Sequence, residues 1–220
     1  MSNDINTEHV AFARDTYVRY DERERANHWL IVVCAVLLML SGLAFFHPAF
    51  YWLTALFGGG QAARAIHPWI GVVLALAFVY MGTRFFKQNI WTPEDKAWMS
   101  RIKEVVNNSH APDLPEAGRF NAAQKIVFYV MFWSVVTLFL SGLVLWQHYF
   151  GDSFPIWLQR LAGLLHGTMA AAMIVTMIVH IYAAIWNVGS VRAMTRGPVT
   201  GGWLYKHHRK FLREEVIGRK

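Results

Sequence analysis

Two histidines, His166 and His180, interrupt a stretch that is otherwise apolar. Residues 161–186, LAGLLHGTMAAAMIVTMIVHIYAAIW, are 26 positions without a single Asp, Glu, Lys or Arg. A run of about 20 such residues is long enough to cross a bilayer as a helix. The two histidines stand 14 residues apart, which is roughly 21 Å along a helix rising about 1.5 Å per residue. Fourteen steps of about 100° also return both imidazoles to nearly the same face. An ionisable side chain in hydrocarbon is costly and calls for a partner. For one histidine alone, a neutral imidazole hydrogen-bonded to a neighbouring helix would suffice. Two on one face, near opposite membrane surfaces, point to axial ligation of two haems, each needing a second ligand from elsewhere in the chain.

The rest of the sequence must supply the elements that position such ligands. The 220 residues are 55% hydrophobic, yet the net charge is +7. The apolar residues fall in long blocks at about 29–46, 69–86 and 126–146, besides the stretch above. Polar residues do not recur within these blocks at helical period, so a soluble bundle is excluded. The charge distribution also argues against a nucleic-acid binder. Of 21 Lys and Arg, 19 lie in the first 26 residues, between Arg84 and Lys125, or after Asn187; only Arg64 and Arg160 fall in the other two connections. The positive-inside rule then puts both termini and the central loop in the cytoplasm. The expectation is an all-α membrane protein, a four-transmembrane-helix bundle forming one domain over 1–220. Its helices are expected at about 28–46, 67–86, 124–147 and 158–187. The polar N-terminus lacks a cleavable signal pattern, so the first block reads as a retained helix. Cys34, the sole cysteine, permits no intrachain disulfide or cysteine-ligated metal and reads as packing.

Depth pairs the histidines. His28 stands at the cytoplasmic end of the first span, level with His180. His67, followed by Pro68 in what reads as a first helical turn, stands at the outer end of the second span, level with His166. The expected ligand pairs are therefore His28/His180 and His67/His166. A faint repeat accompanies them: Ser41-Gly42-Leu43 recurs as Ser141-Gly142-Leu143, an offset of 100, and His67 recurs as His166, an offset of 99. Spans one–two and three–four thus read as two copies of a hairpin. Gly42 and Gly142 suit either the approach of a flat cofactor or plain helix packing. The central loop carries TPEDKAWMSRIKEVV, a short amphipathic surface helix with Trp91, Trp98 and Met99 turned inward. The tail contacts a lipid surface. His207-His208, without Cys or carboxylate neighbours, read as structural, as do His9, His47, His110 and His148.

Four segments carry a resemblance to a known family: RYDERERANHW at 19–29, IHPW at 66–69, GRFNAAQK at 118–125, and LLHG with VHIYAAIW in the fourth span. Together, from about Tyr17 to Arg213, the chain resembles the cytochrome b (gamma) membrane subunit of respiratory formate dehydrogenase in the bacterial inner membrane. The resemblance implies two haem b groups, one held by His28 and His180 and the other by His67 and His166, the same pairing that depth gives. It implies a quinone (menaquinone or ubiquinone) reduced near the cytoplasmic haem at a site including Asn121, with His180 as a second donor. It also implies partners: an iron–sulfur (beta) subunit on the periplasmic side and a catalytic molybdenum or tungsten (alpha) subunit. Formate oxidation would belong to those partners. This chain reads Asn121-Ala122-Ala123 where the family has Asn-Phe-Gly, and Asn121 equally suits a helix N-cap. His110, Asp113 and Glu116 are candidate stations for protons reaching the quinone. The alternatives are the cytochrome b of a membrane-bound hydrogenase or other molybdoenzyme, or a haem-free scaffold or proton-path transporter.

Overall fold

The computed structural model describes residues 14–107, 115–151 and 153–218. The expectations placed on the 1–13 tail, His9, His110 and Asp113 lie outside them. Four helices are long and apolar enough to cross a membrane: α1 (Glu22–Phe46), α2 (Gly60–Phe85), α5 (Ala122–Leu145) and α6 (Ile156–Trp186). Between α2 and α5 lie the short α3 (Pro93–Ser100) and α4 (Ile102–Asn107), and after α6 come α7 (Ser190–Arg196) and α8 (Gly201–His207). A two-stranded antiparallel ribbon pairs β1 (Thr16–Val18) with β2 (Pro198–Thr200), Tyr17 opposite Val199.

The helices begin where local chemistry allows. Asp21 Oδ1 accepts from the Glu24 amide at 2.8 Å, and Glu24 Oε2 accepts from the Asp21 amide at 3.1 Å. This reciprocal box satisfies orphan donors at the start of α1, so the helix starts six residues ahead of the expected position 28. Asn121 and Gln124 form the same box for α5, both bonds at 3.0 Å. The second span departs further. After a 3₁₀ segment, Pro48–Phe57, the chain turns at Gly58 and Gly59, with φ of 85° and 103°. That left-handed region favours glycine. Helix α2 follows at once through Gln61, Ala62, Ala63 and Arg64, all good helix formers. Pro68 is therefore inside α2 and not in its first turn. Its ring nitrogen cannot donate to the carbonyl of Arg64. The amphipathic segment of the central loop folds as two short helices. Trp98 is buried there, Met99 is half-buried and Trp91 is 37% exposed.

The residues group into two compact units. One comprises Ala26–Arg84 and Tyr129–Ile181. Its core packs Ile31, Cys34, Ala35, Leu74, Ala77, Phe78, Val135 and Met173. Cys34 thus has the packing role its place in the sequence implies. Asn27 Nδ2 donates to the Ala77 carbonyl at 3.0 Å, tying α1 to α2. Leu76, Val79, Trp133, Val175 and Ile178 stay exposed, a distribution suited to hydrocarbon rather than water.

The other unit comprises the chain up to Arg25, Phe85–Phe128 and everything from Tyr182 on. Tyr20, Ala193, Val199, Leu204, Phe211 and Leu212 form its core. Here the repeat extends beyond the Ser-Gly-Leu pair. Arg19-Tyr20-Asp21 recurs as Arg119-Phe120-Asn121, again offset by 100. The two arginines make reciprocal bonds: Arg19 Nη2 donates to the Arg119 carbonyl at 2.7 Å, and Arg119 Nη2 to the Arg19 carbonyl at 2.8 Å.

Candidate haem sites

All four candidate ligands belong to the unit built from Ala26–Arg84 and Tyr129–Ile181, and they meet in two pairs. The rings of His28 on α1 and His180 on α6 have centroids 6.4 Å apart, inclined by 46°. Those of His67 on α2 and His166 on α6 are 6.3 Å apart, inclined by 56°. Each separation matches that of two imidazoles sharing one metal. Two metal–imidazole bonds of about 2 Å, with about 1.1 Å from each nitrogen to its ring centre, span about 6 Å. Among the described residues, no three His, Cys, Asp or Glu side chains converge as a metal site. Two imidazoles alone cannot complete an iron's coordination; a haem macrocycle would supply the remaining donors.

Hydrogen bonding in the second pair accommodates the tautomer that a metal needs. Ser41 Oγ lies 2.7 Å from His67 Nδ1 and Ser141 Oγ lies 2.9 Å from His166 Nδ1. Each hydroxyl has one proton, which goes back along its own helix: Ser41 donates to the Leu37 carbonyl at 2.8 Å and Ser141 to the Thr137 carbonyl at 2.6 Å. This back-bonding is usual for serine in a helix. Each hydroxyl can then accept from Nδ1–H, the tautomer in which each Nε2 keeps the lone pair a metal needs. The neighbouring glycines face the same rings. A Cβ on Gly42 would stand 3.7 Å from His67 Cε1, and one on Gly142 would stand 3.4 Å from His166 Cε1. The motif thus brings a hydroxyl and a side-chain-free stretch of backbone to each imidazole, which fits a haem. In the first pair, His28 Nδ1 is buried without a hydrogen-bond partner among the described residues.

Asn121, in the other unit, is the N-cap of α5. Its Oδ1 is engaged by the Gln124 amide. Glu116 pairs with Arg213 at 2.8 Å. That unit also holds a cluster that its sequence did not announce. His208, wholly buried, lies with Nε2 at 3.0 Å from Arg19 Nη2 and Nδ1 at 2.7 Å from the Gly118 carbonyl. Arginine only donates, so Nε2 accepts and Nδ1–H donates: the ring is neutral. Burial, with the Arg19 charge beside it, pushes the His208 pKa well below its ordinary 6.5. His208 is structural, as expected, but as the knot joining the Arg19 and Gly118 segments. Tyr20, Trp203 and Phe211 face Arg19, and Tyr20, Phe85 and Phe211 face Arg119, at 5.1–5.8 Å. Such ring faces hold guanidinium charge.

Comparison with known proteins gives the chain a family. Residues 19–197 match the family described as prokaryotic cytochrome b561. The chain is 41% identical to the cytochrome b556(fdo) subunit of formate dehydrogenase from Escherichia coli K12, over 91% of this chain and 94% of that one. It is 37% identical to the cytochrome b556 subunit of formate dehydrogenase from Haemophilus influenzae, over 96% and 88%. With the cytochrome b556(Fdn) subunit of the nitrate-inducible formate dehydrogenase of E. coli K12 it shares 35% identity, over 87% and 88%. Matched along most of its length, the chain belongs to the prokaryotic cytochrome b561 family, among the cytochrome b subunits of formate dehydrogenase.

Proposed function

We propose that this chain is the di-haem membrane anchor of a formate dehydrogenase, carrying electrons from a periplasmic iron–sulfur subunit inward to a quinone. The observation that supports it most is the pair of facing imidazole couples set 14 residues apart on α6. Bound there, the haems supply one-electron carriage. His67 and His166 hold the outer site, His28 and His180 the inner one. Saturating an iron with two imidazoles excludes small ligands, which suits electron transfer rather than oxygen chemistry.

The inward direction is supported by the charge asymmetry, which by the positive-inside rule favours both termini and the central loop on the cytoplasmic side. A quinone taking two electrons also takes two protons, so drawing them from the cytoplasm would help charge the membrane. The resemblance assigns the quinone to Asn121 and His180, and each has suitable local chemistry. Capping commits only Oδ1 of Asn121, leaving its amide group to donate to a quinone carbonyl. His180, ligating through Nε2, keeps Nδ1–H to donate. By analogy with the relatives' names, the remaining partners are the other formate dehydrogenase subunits.

The test is a reduced-minus-oxidised absorption spectrum of the purified chain with haem quantitation. A b-type band and two haems per chain are expected. A spectrum without that band would leave a haem-free scaffold or transporter.

A further inference from the structure

The paired serines go beyond holding haem. We infer that Ser41 and Ser141 are positioning residues that set the potential of the outer site, an inference resting on the proposed bis-histidine ligation. Both contacts are made in corresponding places by the two hairpins of the repeat: Ser41 of α1 to His67 of α2, and Ser141 of α5 to His166 of α6. With Nε2 on the iron, Nδ1 carries the ring proton, so each hydroxyl accepts from the imidazole while its own proton has an acceptor on its own helix. An imidazole that donates through Nδ1–H becomes a more basic ligand at Nε2. A more basic axial ligand stabilises ferric over ferrous iron and lowers the potential.

The inner pair differs. His28 Nδ1 has no hydrogen-bond partner among the described residues, so His28 lacks that donation. The outer site is thereby held at lower potential than the inner one. One electron passing inward, oxidising the outer iron and reducing the inner, then runs downhill. The serines fix the tautomer of both outer ligands and bias the direction of flow.

The experiment is a spectroscopic redox titration of the purified chain and its variants. His67→Ala, which removes one ligand, identifies which of the two midpoints belongs to the outer site. Ser41→Ala is the principal variant, because the Leu138 carbonyl offers His166 a second acceptor beside Ser141. Ser41→Ala is expected to raise the outer midpoint and leave the inner one in place, while Ser41→Thr, which keeps the hydroxyl, returns the outer midpoint towards the parent value. Loss of the outer haem alone in Ser41→Ala, restored in Ser41→Thr, supports the same role. Ser134→Ala, at a buried serine of α5 whose hydroxyl has no partner among the described residues, should move neither midpoint. Unchanged midpoints in Ser41→Ala, an equal shift of both, or loss of both haems would overturn the inference. A parent chain without two b-type haems would instead overturn the ligation itself.

Discussion

At the His67 and His166 imidazoles, ligation turns on which nitrogen keeps its lone pair, and the neighbour that bears on it is a serine of the preceding span. His67→Ala and His166→Ala are expected to remove the same haem and spare the other, because their rings face each other at 6.3 Å. Haem content and the number of redox steps measure this, and different haems lost from the two variants would refute the pairing. The histidines were legible because fourteen residues at helical twist return to one face. The serines were visible only as half of a Ser-Gly-Leu repeat in which glycine looked like the purposeful residue. Their partners could be seen only once the hairpins had packed, although the offsets of 100 for serine and 99 for histidine were a signal. Asn121 presents the reverse case, since both proposed roles were visible and capping alone is now seen in the structure. Asn121→Asp keeps an acceptor for the cap and removes the amide donor. It is expected to slow quinone reduction by up to about tenfold, the worth of one neutral hydrogen bond of about 0.5–1.5 kcal/mol, with both haems retained. Quinone kinetics identical to the parent's would leave Asn121 only its cap.

Helix ends are where composition and fold part company. The apolar blocks locate four spans, but α1 and α2 start well before them, since capping and alanine-rich propensity act on residues that hydropathy scores as loop. The segments beyond the spans are held by buried polar pairs that no periodicity signals. Lys125 Nζ lies 2.6 Å from Asp95 Oδ2 and also donates to the Ile90 carbonyl at 2.9 Å, with both side chains under a tenth exposed. Removing one partner of such a pair strands a buried charge, so Lys125→Met should cost about 3–5 kcal/mol. It should be seen as a lowered unfolding midpoint by circular dichroism in detergent. His208 adds a pH dependence. Its folded pKa lies well below 6.5, so between the two values the unfolded chain binds a proton that the folded one refuses. The stability it contributes is therefore complete above about pH 6.5 and declines as pH falls below that value. His208→Gln should flatten this decline; an unaltered acid limb would assign it to other groups. Glu94, paired with Lys210 at 2.9 Å, has its pKa drawn down to about 2 by that bond. About half exposed, it adds only a late acid loss, beginning below its ordinary 4.5.

Over the whole molecule, orientation decides what the two proposed haem sites would accomplish, because the same conductor reversed would deliver electrons outward. Nineteen of the 21 Lys and Arg fall in the N-terminal segment, the Arg84–Lys125 region or the C-terminal tail. If all four candidate spans cross the membrane, those three regions share one side. The ends of the spans near Trp69 and Trp146 carry instead an aromatic cluster, Trp69 against Trp146 at 5.0 Å and Trp146 against Tyr149 at 5.0 Å. Amphipathic rings of this kind settle at the membrane–water boundary, and only Arg64 and Arg160 share that end of the chain's connections. Short basic segments next to spans resist translocation, while acidic residues have little say. The 14 Asp and Glu therefore do not weaken the assignment. Reporter fusions after Lys220 and within 107–118 should both read cytoplasmic, and one within 58–61 should read periplasmic. His28 and His180 would then lie on the side from which a quinone draws its protons, and His67 and His166 on the side of the iron–sulfur partner. A periplasmic reading after Lys220 would exchange the two sites and reverse the electron flow proposed here, while leaving the histidine pairing untouched.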